Sequence, residues 1–72
     1  MAKKPKEDMA PGLPTKDLLR VDEVARYFSV EERTIRLWVD HGYFEVERLG
    51  GVIRVLRESV INFRLKSRVK FS

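Results

Sequence analysis

Apolar residues recur along this chain with two different periods, and the changes between them mark out its elements. Across residues 20–28, Val21, Val24, Ala25 and Phe28 stand at i, i+3, i+4 and i+7, the spacing of one buried helical stripe. Asp22 and Glu23 fall in the first turn of that helix, where negative charge complements the positive end of its dipole. Ser29-Val30-Glu31 breaks the pattern. It resumes over residues 32–41 with Ile35, Trp38 and Val39 on one face, and Gly42 follows as a stop that accepts left-handed backbone without steric cost. Two β-rich runs, 44–49 and 52–56, then lie on either side of Gly50-Gly51, a two-residue connection that predicts a hairpin. Helical spacing returns over residues 58–66, whose basic end suits the negative end of a helix dipole.

The predicted order is helix, helix, hairpin, helix: a mainly α fold with a small two-stranded β-hairpin. Two short helices with only Ser29-Val30-Glu31 between them match a helix-turn-helix, and the hairpin supplies a wing. Val30 is expected to plug the junction. Trp38 sits on the apolar stripe, so it is assigned to the core together with Val24, Phe28, Ile35, Val46, Ile53, Val55, Val60 and Phe63.

All three prolines lie in the first fourteen residues, beside Gly12 and several charges, so residues 1–17 are expected to be a disordered tail. The domain is placed at 18–68 and a flexible C-terminal tail at 69–72. A chain of 72 residues is close to the lower limit for folding on one apolar core, and with no cysteine it has neither disulfides nor a thiolate zinc site to help. Uninterrupted apolar runs reach only two or three residues, far from a membrane span. The N-terminal lysines have no apolar segment behind them, so no secretory signal is expected and the cytoplasm is the default location.

The net charge of +4 is unevenly spread. Residues 20–32 are net acidic, whereas 33–57 and 58–72 are net basic, an asymmetry suited to presenting one face to a polyanion. With Ile35, Trp38 and Val39 turned inward, the second helix exposes Glu32, Arg33, Arg36, Leu37 and Asp40. Arg33 and Arg36, three residues apart, share that outer face, where one guanidinium can meet phosphate and another the acceptor edge of guanine. Thr34, early in the helix, can bond a phosphate beside the backbone amides of the helix N-terminus. Arg48 and Arg54 flank the Gly-Gly tip of the wing, within reach of the minor groove or the backbone. The candidate DNA-binding residues are therefore Arg33, Thr34, Arg36, Leu37, Arg48 and Arg54. The competing assignment for these arginines is a solvated helix face making surface ion pairs with Glu32 or Asp40. The basic stretch Lys66-Ser67-Arg68-Val69-Lys70 either adds nonspecific phosphate contacts or is solvated. His41 is the sole histidine, so no metal site is expected, and the chain offers no nucleophile–base pair or phosphate-cradling loop. No enzyme activity, cofactor or small-molecule ligand is expected.

These residues resemble the MerR-like winged helix-turn-helix superfamily, and within it the small excisionase-type DNA-binding domains. The resemblance runs from about Leu18 to Lys66 and rests on Leu19-Arg20-Val21-Asp22-Glu23-Val24-Ala25, Val30-Glu31-Glu32-Arg33-Thr34-Ile35-Arg36-Leu37-Trp38-Val39 and Arg48-Leu49-Gly50-Gly51. It implies DNA contact by Thr34, Arg36 and Arg48, and by Arg33 and Arg54 with them. Three positions depart from the family: Arg20 and Glu31 stand where a Ser or Thr helix cap is usual, and Ser29 where glycine is usual. No long dimerisation helix fits in the residues after the wing, so the stand-alone excisionase-like form is expected to be the closer analogue. The implied function is sequence-preferring binding of double-stranded DNA by a small transcriptional regulator or a recombination directionality factor. The implied partners are a recombinase or the transcription machinery, with cooperative self-association on DNA. The alternative from another class is a protein-interaction module on the same scaffold, since fold does not fix function.

Overall fold

The computed structural model describes residues 11–69. They run in the order β1 (Leu18–Leu19), α1 (Val21–Phe28), α2 (Glu32–Asp40), β2 (Val46–Leu49), β3 (Val52–Leu56) and α3 (Arg57–Val69). The expected two helices, hairpin and closing helix are all present, and the architecture is a mainly helical winged helix-turn-helix. The hairpin is joined by a third strand. β1 pairs antiparallel with β3, Leu18 opposite Leu56 and Leu19 opposite Val55, which gives a sheet of order β1-β3-β2. A two-residue strand carries no periodic signal, so it is visible only once its partner is in place.

The helix ends follow local chemistry. At the start of α1 the Arg20 N–H donates to Glu23 Oε1 at 2.8 Å. A guanidinium has no acceptor, so Arg20 cannot return the bond and only half of a capping box forms. Glu31 precedes α2 in extended geometry and its side chain makes no cap bond either. Both helices leave through the same device. Ser29 adopts φ 61° while the Val30 N–H reaches back to the Ala25 carbonyl at 3.0 Å. Gly42 adopts φ 82° while the Tyr43 N–H reaches the Trp38 carbonyl at 3.0 Å. These are Schellman turns, which satisfy the last carbonyls of a helix and need a left-handed residue at the exit. In the wing, Gly50 and Gly51 both have positive φ, as a two-residue hairpin turn of the primed type requires.

The core consists of Leu13, Leu19, Val24, Ala25, Ile35, Phe44, Val55 and Val60, none more than 5% exposed. Phe28, Val30, Trp38, Val46 and Phe63 pack against it. Phe28, Trp38, Phe44 and Phe63 form one aromatic cluster, with ring centroids 5.0–6.3 Å apart for every pair. Trp38 is therefore a packing residue. α3 is tied to the rest at both faces: the Glu45 N–H donates to Ser59 Oγ at 3.1 Å, and Arg64 donates to the Tyr27 hydroxyl at 2.8 Å.

Three expectations are corrected. Ile53 is half-buried but lies outside the core cluster, because it borders the open cleft beside α2. The N-terminal tail does not extend to residue 17. Leu13 is buried in the core, Arg57 Nε donates to the Pro14 carbonyl at 2.6 Å, and the Arg57 N–H donates to the Asp17 carbonyl at 2.9 Å. The segment runs through turns and bends, and such irregular backbone can still pack. Residues 1–10 lie outside the described residues. At the other end α3 continues to Val69, one residue into the expected C-terminal tail, whose remaining residues also lie outside the described ones.

Candidate nucleic-acid interface

α2 presents an open outer face. Ile35 is fully buried and Trp38 and Val39 turn inward, so Arg33, Arg36, Leu37 and Asp40 face outward. At 100° per residue these four fall within an arc of about 100°. Arg33 Nε lies 4.0 Å from Glu31 and Arg36 Nη2 lies 3.8 Å from Glu32, in pairs whose side chains are all at least half exposed. Such pairs contribute about 0–1 kcal/mol, so an incoming phosphate can displace either carboxylate at little cost. Thr34 is half-buried in the first turn, with its N–H donating to the Glu31 carbonyl at 3.0 Å.

The wing divides its two arginines between faces. Directly opposed residues in an antiparallel pair share a face, and the register sets Val46 against Val55, Glu47 against Arg54, Arg48 against Ile53 and Leu49 against Val52. Val55 is buried, so Arg48 and Ile53 belong to the face that continues from the core, and Arg54 and Glu47 to the other. Arg48 is exposed, whereas Arg54 is half-buried and donates to the Ile53 carbonyl at 3.1 Å.

A cleft of about 410 Å³ separates α2 from the wing, and Arg36 and Arg54 both line it. Arg20 lines it as well, a residue that spacing alone identified only as a poor helix cap. Its position follows from β1: Leu19 pairs with Val55, and one further step of that register sets Arg20 opposite Arg54. Asp22 and Glu32 reach the same cleft, and Arg20 Nε is 3.2 Å from Asp22. Three guanidinium groups thus face two carboxylates where recognition helix, wing and the start of α1 meet. Arg33, Thr34, Leu37 and Arg48 do not line the cleft; Arg33, Leu37 and Arg48 lie on the open surfaces of α2 and β2, and Thr34 is half-buried.

Behind this face, Glu23 organises the entrance to α1. It accepts from the Arg20 N–H and pairs with Lys16 at 2.9 Å. That backbone hydrogen bond, followed by the Lys16 interaction, holds the Glu23 carboxyl below the usual carboxylate range. Among the described residues no helix is long and apolar enough to cross a membrane.

An exposed second helix, locked to the first through a three-residue junction and flanked by a short hairpin, defines a winged helix-turn-helix. The chain belongs to the helix-turn-helix domain family, whose model matches residues 18–68. That membership points to DNA binding in general, with DNA as the partner. No curated protein and no solved structure matches the chain.

Proposed function

We propose that this protein is a sequence-preferring binder of double-stranded DNA that acts by occupying its site and catalyses no reaction. The observation that carries this reading is the cleft in which Arg36 of the second helix, Arg54 of the wing and Arg20 at the cap of the first helix converge. A duplex seated on α2 would then meet cationic groups from the wing and from the start of α1 as well as from the helix itself. In this reading α2 enters the major groove, with Arg33 and Arg36 reaching guanine edges or phosphates and Thr34 a phosphate. Arg54 and Arg20 take the backbone, and Arg48 extends from the wing toward the minor groove.

The resemblance to MerR-like, excisionase-type domains extends the proposal to a cytoplasmic regulator of transcription or a recombination directionality factor, roles that the same contacts serve. One short helix and one wing bury little surface. Tight binding therefore calls for neighbouring copies on repeated sites or for a recombinase or transcription protein alongside.

The test is fluorescence anisotropy of a labelled random-sequence duplex with the wild type and an Arg33→Ala/Arg36→Ala variant, at about 50 and about 200 mM salt. Binding that falls steeply with salt and is lost in the double variant supports the assigned face. Absence of binding at low salt overturns the DNA reading and leaves the protein-interaction module, for which the surface pairs of Arg33 and Arg36 with Glu31 and Glu32 are sufficient use of those arginines.

A further inference from the structure

Among the described residues the large apolar side chains left most open are Leu37 at 52% exposure, Tyr43, Leu49 and Val52. Three of them have an evident structural use. Tyr43 stacks on Phe63 with centroids 5.7 Å apart, and Leu49 and Val52 oppose each other beside the wing turn. Leu37 has none. It stands on the side of α2 facing away from Ile35, Trp38 and Val39, one turn beyond Arg33 and next to Arg36. Single exposed leucines are common on protein surfaces. What distinguishes this one is its place near the middle of an otherwise charged face whose proposed partner is the floor of the major groove.

That floor offers an apolar side chain one specific complement. Every base edge there presents hydrogen-bonding groups, and thymine alone among the unmodified bases adds a methyl group. Leucine can neither donate nor accept, so set against a polar base edge it leaves groups without partners, whereas against the thymine methyl it removes apolar surface from water on both sides. We infer that Leu37 is a specificity-determining residue that selects a thymine through its C5 methyl group. The inference rests on the proposed DNA reading.

The helix rise also bounds how far that thymine lies from a guanine read by the same helix. From Arg33 to Leu37 the helix advances about 6 Å, close to two base-pair steps of about 3.4 Å. Arginine selects guanine most strongly. A guanine read by Arg33 or Arg36 and the thymine read by Leu37 therefore fall within about two base pairs of each other.

The test starts from the duplex that wild-type protein enriches from a random pool, in which each thymine is replaced in turn by deoxyuridine. This exchange deletes one methyl and leaves every hydrogen-bonding group in place. The expected result is one position at which deoxyuridine weakens wild-type binding about fourfold, the effect of withholding one methyl from burial. In Leu37→Ala the same exchange has little effect. Leu37 is exposed and alanine is a strong helix former, so that variant keeps the fold. Enrichment of a site at which no thymine methyl matters overturns the inference while leaving DNA binding intact. A methyl effect undiminished in Leu37→Ala assigns the reading to another residue and likewise overturns it. Failure of the pool to enrich, with no salt-dependent binding to any duplex, overturns the proposed function and this inference with it.

Discussion

Ser29 holds φ 61° and ψ 43° with a Cβ in place, the sole non-glycine residue with positive φ among those described. Left-handed backbone costs an L-residue about 1–2 kcal/mol, and glycine escapes that cost while giving back part of it as extra freedom in the unfolded chain. Ser29→Gly is therefore expected to stabilise the fold by about 0.5–1 kcal/mol, read as an increased urea midpoint with an unchanged slope. Ser29 is exposed, so nothing in the packing opposes the change. Glu23 makes a second prediction at this scale. Its carboxyl is held below the ordinary range by the Arg20 N–H and by Lys16, so its contribution is present above the unfolded-state value and is lost as pH falls through the depressed folded-state value. Glutamine can still accept from the Arg20 N–H but cannot titrate. The stability advantage of the wild type over Glu23→Gln should shrink as pH falls through and below the ordinary glutamate range, as followed by thermal unfolding over a pH series.

At the scale of elements, α2 begins at a position with the right backbone and the wrong side chain. Glu31 has the extended geometry of a cap, φ −81° and ψ 157°, yet makes no side-chain bond to the helix. Serine there gains about 1 kcal/mol of capping against a loss of about 0.3 kcal/mol of charge–dipole interaction. The exposed Arg33–Glu31 pair adds little to either side of that balance. Glu31→Ser is expected to raise stability by about 0.5–1 kcal/mol. Because it also removes a carboxylate beside the proposed phosphate contact, it should tighten binding to all duplexes, most strongly at low salt. Two of the three arginines of the cleft should separate by sequence dependence. Arg36→Ala is expected to lose about 1–3 kcal/mol on the preferred site and to relax base preference. Arg54→Ala should weaken every sequence alike and reduce the salt slope by about 1. Anisotropy titrations on preferred and scrambled duplexes over a salt series distinguish them, and an unchanged slope in Arg54→Ala would remove the wing from the interface.

For the molecule as a whole, the packed unit is larger than the periodic part of the sequence. Leu13 is 3% exposed, and the segment bearing it is fastened by Arg57 to the Pro14 and Asp17 carbonyls and by Lys16 to Glu23. Truncating a buried leucine typically costs about 2–5 kcal/mol, a large share of the about 5–15 kcal/mol available to a small domain. Leu13→Ala is expected to lower stability by about 2–4 kcal/mol in chemical denaturation. A loss below about 0.5 kcal/mol would place residues 11–17 outside the cooperative unit.

What the sequence determined by itself is everything that repeats or punctuates locally. The stripe of Val21, Val24, Ala25 and Phe28, the inward set of Ile35, Trp38 and Val39, the stop at Gly42 and the turn at Gly50-Gly51 all became the elements they announce, because periodicity and backbone freedom act within a few residues. The outward position of Arg33, Arg36 and Leu37 was legible for the same reason, being the complement of the buried face. Tertiary structure alone decided what depends on partners distant in sequence. Leu18-Leu19 is a strand only because β3 lies beside it, Leu13 is buried only because that strand brings its segment across the core, and Ile53 stays outside the core because it borders the open cleft beside α2. The same pairing carried Arg20 to Arg54 and Arg36, while the hairpin's alternation parted Arg48 from Arg54. Spacing along a chain reports which face of its own element a residue occupies; which faces meet is set by pairing between elements, and it is there that the arginine cleft was made.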